Sequence, residues 1–191
     1  MLDWFHKNFG DTVSALLKLA LGVDWISSQL SKLAAWTVLL AALISAGNAF
    51  VRYGLDISSN GWLEIQWYLF AATVMLGAPI VLKLNEHVRV DILYGRLKGN
   101  GSIYVDLLGL IFFLLPVMGL LAWLSWPLLA KMYLTNEMSS NAGGLIRWPA
   151  MLMLPLGFAM MFLQGLSEIT KRICHLMGIY RLQVHYEKPV Q

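Results

Sequence analysis

Four stretches of this chain, residues 33–51, 65–82, 107–130 and 148–167, contain no Asp, Glu, Lys, Arg or His and run 18 to 24 residues each. A helix needs about 20 apolar residues to cross the ~30 Å hydrocarbon core of a bilayer, where no water satisfies an open backbone. Each stretch meets that length. Only 13% of the 191 residues are charged and 58% are hydrophobic, whereas soluble domains carry about 25% charge. A domain of this size leaves too much surface exposed to hide such an excess in water. The expected fold is therefore an all-α integral membrane protein with four transmembrane helices. The chain reads as a single membrane domain, 1–191, with a head (1–32), short connections and a tail (168–191), and no room for a soluble enzyme domain. Cys174 is the only cysteine, which permits neither an internal disulfide nor a cysteine-rich metal site. The first apolar run begins after 32 residues and exceeds the 7–15 apolar residues of a cleaved signal peptide, so it is expected to stay as an anchor.

Lys and Arg set the expected orientation. Lys7, Lys18, Lys32, Lys83, Arg89, Arg96, Lys98, Lys171, Arg172, Arg181 and Lys188 fall on one side, against Arg52, Lys131 and Arg147 on the other. The positive-inside rule places both termini in the cytoplasm, with two short external loops. The net charge of +3 belongs to residues flanking the spans, so no nucleic-acid partner is indicated; membrane lipids are the obvious surroundings. In the head, Val13, Leu16, Leu17, Ala20 and Leu21 recur at helical spacing, as in an N-terminal amphipathic helix lying in the interface. That helix is expected to break at Gly22, with Asp24 capping a second helix that enters span 1. A helix packed on a partner's surface fits the same stripe equally well. Pro79 and Pro155 are expected to kink spans 2 and 4, and Pro149 to open span 4.

What the spans lack bears on function. Intramembrane ionisable groups are costly and are kept where ions, protons or charged substrates are handled; none lies in these four runs. His6, His87, His175 and His185 all lie outside, so a haem-bearing bundle lacks axial ligands. Small residues are the complementary signal. Ala41, Ala42, Ser45, Ala46 and Ala49 on span 1, and Thr73 with Gly77 on span 2, allow close helix approach within the chain or against another membrane protein. The first set is the candidate packing surface for a larger partner. No catalytic or cofactor-binding residue is indicated, and an enzyme is not expected.

The densest charged run is Glu86-His87-Val88-Arg89-Val90-Asp91. Glu86 and Arg89, or His87 and Asp91, are spaced to meet on one helix face. A metal held by Glu86, His87 and Asp91 would want a further aligned ligand, so the run reads as a charged turn that fixes the inner loop. Externally, Arg52, Asp56, Glu64, Lys131, Glu137 and Arg147 are the charges available to a soluble partner.

These pieces resemble the small membrane subunit, the DctQ type, of tripartite ATP-independent periplasmic (TRAP) transporters. The resemblance runs from about residue 30 to 175. Beside residues 86–91 it rests on Glu64-Ile65-Gln66-Trp67-Tyr68-Leu69-Phe70, on Ser125-Trp126-Pro127 and on Glu137 through Arg147-Trp148-Pro149. Leu154-Pro155-Leu156-Gly157-Phe158 and Gln164-Gly165-Leu166-Ser167-Glu168 complete it. It implies a system in a bacterial or archaeal cytoplasmic membrane. A periplasmic substrate-binding protein delivers an organic anion (carboxylate or sulfonate) to a large membrane subunit, which moves it inward on the sodium gradient. The small subunit packs on the large one and helps receive the binding protein, and any sodium dependence resides in the large subunit. Two readings remain beside it: a stand-alone four-helix transporter, and a membrane enzyme built on Glu86, His87 and Asp91.

Overall fold

The computed structural model describes residues 2–57, 59–86 and 100–182, with side chains from residue 12 onward. It consists of α1 (Leu2–Leu55), α2 (Asn60–Leu84), α3 (Gly101–Gly109), a π-helical segment (Leu110–Leu114), α4 (Leu115–Leu134) and α5 (Trp148–Leu176). Four of its helical stretches are long and apolar enough to cross a membrane: Thr12–Leu55, Asn60–Leu84, Gly101–Leu134 and Trp148–Leu176. Each holds one of the four uncharged runs. No strand occurs among the described residues, where the β-type pairing is a single bridge between Met138 and Ile146. The protein is an all-helical, multi-pass membrane protein.

The head departs from the expectation of two helices. α1 continues unbroken through Gly22, and Asp24 is a buried mid-helix residue rather than an N-cap. The physical reason is that one helical glycine costs only about 1 kcal/mol, and residues 2–55 contain no proline to remove a backbone donor.

Three helices end in the same way. Beyond α2, the Asn85 and Glu86 N–H groups bond the carbonyls of Leu82 and Val81; beyond α4, those of Asn136 and Glu137 bond Tyr133 and Met132. Beyond α5, those of Gly178 and Ile179 bond His175 and Cys174. These crossed pairs satisfy carbonyls that a helix end leaves open, and they require a left-handed residue. Asn85 (φ 62°), Asn136 (φ 47°) and Gly178 (φ 75°) supply it.

Prolines shape the interiors. The Leu115 N–H bonds the Leu110 carbonyl, one residue further back than in an α-helix, immediately before Pro116. A ring without an N–H cannot bond back, and the widened turn accommodates it. Pro149 stands in the first turn of α5, while Pro79 and Pro155 lie buried inside α2 and α5. Pro79 leaves the carbonyl four residues back, on Met75, without its usual donor. Gly157 of α5 approaches there: a Cβ on it would stand 2.6 Å from the Met75 Cβ and 3.0 Å from the Met75 carbonyl oxygen.

α5 is the hub, packing against α1, α2 and α4, while α1 also packs along α2. The α1–α2 register is fixed by a hydrogen bond between the Thr37 and Thr73 hydroxyls at 2.8 Å and by Gly77 seated on Ala34. Ala34, Ala72 and Leu76 form the apolar centre, with Leu30 and Met153 against it. The pattern is inverted relative to a soluble protein. The largest fully buried side chains are Gln164, Pro79 and Ser27, whereas Trp123 and Phe113 are about three-quarters exposed. Lipid tails are as apolar as leucine, so association rests on close packing and hydrogen bonds.

Candidate functional site

Because α1 and α2 run antiparallel, as do α4 and α5, the bundle has a terminal end, where α1 starts and α5 finishes, and a loop end. Each end holds a buried polar arrangement.

At the terminal end, α5 presents Gln164, Ser167, Glu168, Lys171 and Arg172, all buried. Their spacing of three and four places them on one helix face. The Lys171 ammonium donates to both Asp24 carboxylate oxygens, at 3.0 and 2.8 Å, and also to Glu168. Gln164 donates its amide to Asp24 Oδ1 at 2.8 Å and accepts from the Ser27 hydroxyl at 2.7 Å. The Ser167 hydroxyl lies 2.9 Å from Asp24 Oδ1 and 3.0 Å from the Ala20 carbonyl. Arg172 bonds Glu168 and, through Nε and Nη2, reaches Asp106 Oδ2 of α3 at 3.3 and 3.1 Å. Lys83 of α2 adds bonds to the Ser28 hydroxyl at 2.8 Å and the Asp24 carbonyl at 3.2 Å. Three carboxylates, two buried cations and the half-buried Lys83 thus join α1, α2, α3 and α5. Burial of unpaired charge is costly, and pairing with satisfied hydrogen bonds is the condition on which such groups are buried.

Sequence reasoning missed this network. Gln164 and Ser167 stand above only in a family motif, Asp24 is assigned to a cap, and Lys171 and Arg172 to the tail. The available signal was periodicity: 164, 167, 168, 171 and 172 continue one face of span 4 past its last uncharged residue, and Asp24, Ser27, Ser28 and Ser31 do the same on α1.

At the loop end a single carboxylate organises the α4–α5 connection. Glu64, in the first turns of α2, is only 2% exposed. It accepts the Leu145 backbone N–H at 2.6 Å, the Asn141 amide at 2.8 Å and the Ser139 hydroxyl. Tyr68 donates to the Ile146 carbonyl at 2.7 Å and Asn60 to the Ala142 carbonyl at 2.9 Å. Gly144 permits this closeness, since a Cβ there would meet Ser139 Cβ at 2.6 Å and the Asn141 carbonyl at 2.9 Å. Glu64 is therefore turned inward under the loop and does not present its charge outward. Arg52, Asp56 and Lys131 are exposed, and Glu137 pairs with Arg147 at 2.6 Å on the surface.

The remaining candidates fall as follows. Ala41 is half-buried on the α2-facing side of α1, while Ala42, Ser45, Ala46 and Ala49 are exposed. Thr73 and Gly77 are used within the chain, as described. Glu86 is exposed just past the end of α2; His87, Arg89 and Asp91 lie outside the described residues, and so does any pairing of Glu86 with Arg89. Among the described residues no three His, Cys, Asp or Glu side chains are placed to hold a metal ion.

These features define a multi-pass helical membrane protein in which, among the described residues, the buried charges of the terminal end pair with one another and Glu64 is held by loop donors. The family model for tripartite ATP-independent periplasmic transporters, DctQ component, matches residues 41–175. The chain belongs to that family and is a small membrane subunit of a TRAP transporter. No curated protein and no solved structure gives a match. The matched region includes Glu64, Glu168, Lys171 and Arg172 but begins after Asp24, so the network ties the family region to a head outside it.

Proposed function

We propose that this chain is a non-catalytic scaffold subunit, which packs on the large membrane subunit and helps to dock the periplasmic binding protein. The transporter so assembled takes up an organic anion, a carboxylate or sulfonate, on a sodium gradient coupled in the large subunit. The observation that carries this reading is the family match across residues 41–175. The geometry supports it in two ways. The small residues Ala42, Ser45, Ala46 and Ala49 are uncovered on α1, as a surface for close helix contact would be. The buried acids and bases of the terminal end pair with one another and Glu64 is taken up by its loop, which fits substrate and ion sites that lie in the partner. The excess of Lys and Arg at the terminal end supports cytoplasmic termini in a cytoplasmic membrane, with the loop end facing the binding protein.

Co-expression with the large subunit and detergent pull-down tests the assembly: a stable 1:1 complex is expected, weakened by Ala46→Leu. Joint reversal of Arg52, Asp56 and Lys131 should lower transport while leaving that complex intact, because charge steers a soluble partner's approach. A small subunit that transports alone in vesicles would overturn the reading.

A further inference from the structure

Nine hydroxyl and amide side chains lie in the four uncharged runs. Six make hydrogen bonds within the chain: Thr37 with Thr73, and Tyr68, Ser125, Gln164 and Ser167 with partners of their own. The other three, Ser45, Asn48 and Gln66, make none among the described residues. They are not scattered. In the antiparallel register set by Thr37 with Thr73 and Ala34 with Gly77, Gln66 falls level with Ser45, and Asn48 lies one turn further along α1. The Gln66 Nε2 is buried without an acceptor. The oxygen of the same carboxamide is not enclosed, so a half turn about χ3 brings the NH2 group to the surface. Lipid tails offer neither donor nor acceptor, and an unmet polar group among them is costly.

Packing leaves the same place bare. Ala20, Asp24 and Ser27, spaced by four and three, lie on the face of α1 that Ser167, Lys171 and Gln164 of α5 cover. Ala42, Ser45 and Ala49 continue that face towards the loop end, and there they are exposed. α5 has parted from α1 at that level, and among the described residues nothing takes its place. We propose that a transmembrane helix of the large subunit fills the position that α5 vacates, and that its hydrogen-bonding groups meet Ser45, Asn48 and Gln66. This seat presupposes the scaffold role described above. The unpaired amides specify the occupant: a helix that offers a polar side chain or an open carbonyl, drawn close by alanines that let backbones approach. A purely apolar surface would leave all three groups unmet.

The double variant Asn48→Leu with Gln66→Leu, measured in two ways, tests the seat. Thermal unfolding of the small subunit alone in detergent should show no loss of Tm, because no internal hydrogen bond is removed. Thr73→Val, which removes the bond to Thr37, should lower that Tm. Affinity of the double variant for the purified large subunit should fall about tenfold, equivalent to ~1.4 kcal/mol. If the leucine pair does not fold, Asn48→Ala with Gln66→Ala carries the same expectation. Wild-type affinity in the folded double variant overturns the seat and leaves the scaffold role standing, whereas failure of the wild type to bind the large subunit overturns both. A fall in Tm of the variant alone, as large as that of Thr73→Val, makes the amides internal supports and overturns the seat. A dimer of the small subunit that the same substitutions dissolve hands the face to a second copy and overturns it too.

Discussion

The two ends of the bundle solve the same problem, burial of polar groups at a membrane edge, with different chemistry. At the loop end one carboxylate, Glu64, collects donors that all come from within one short loop, Ser139 to Leu145. At the terminal end acids and bases from α1, α3 and α5 neutralise one another, with Lys83 of α2 alongside. The first arrangement shapes a loop; the second fixes where helices lie. Damage to the first should stay local, and damage to the second should spread to the whole bundle.

The largest effect is therefore expected from Lys171→Met. It strands Asp24 and leaves Glu168 with Arg172 alone, and breaking a buried pair in this way costs about 3–5 kcal/mol. Thermal unfolding in detergent should show it as a large drop in Tm with loss of assembled complex. Combining it with Asp24→Asn should cost less than the two single changes together, because the residues share one network. Full additivity would mean that the terminal end is not the cooperative unit described here.

Glu64→Gln should lower stability less than Lys171→Met does. Its signature is faster amide exchange at Leu145 and proteolytic nicking between residues 138 and 147, with α5 protection unchanged. A bundle-wide loss of protection would erase the contrast between the ends. Gly144→Ala probes the same loop by bulk. Its Cβ has backbone and Cβ neighbours under 3 Å away, and overpacking of that kind costs about 1–3 kcal/mol. Smallest of all should be Glu137→Gln. It removes one side of an exposed pair with Arg147, worth about 0–1 kcal/mol, and what effect it has on stability should vanish at high salt.

What could be read from the sequence follows the same division. The four crossings were legible because an apolar run of this length has few alternatives, and the family was legible in motifs spread over three spans. The loop-end arrangement was half legible: Glu64 and residues 137–147 stood out, but the carboxylate was expected to face outward. A single charge beside aromatic residues looks the same whether it points to a partner or back under a loop. The terminal network was illegible for a different reason. Its bonded partners are separated by up to 147 positions (Asp24 to Lys171), and only the register of α1 against α5 brings them together. Each end of that register carried a reading sufficient in itself, a cap for Asp24 and a cytoplasmic tail for Lys171.

The spacing of the two polar arrangements along α2 has its own consequence. Glu64 and Lys83 are nineteen residues apart, which is roughly 28 Å of helix, close to the ~30 Å of a typical hydrocarbon core. The chain therefore carries a ruler of bilayer thickness. Each ångström of mismatch costs a fraction of a kcal/mol, met by tilting or by deforming the lipid. A membrane thicker than this gap pulls one paired cluster into hydrocarbon, and a thinner one bares apolar helix to water. The height at which this subunit floats, and the height at which it presents its uncovered α1 face to a neighbour, is set by two sets of charges that never touch.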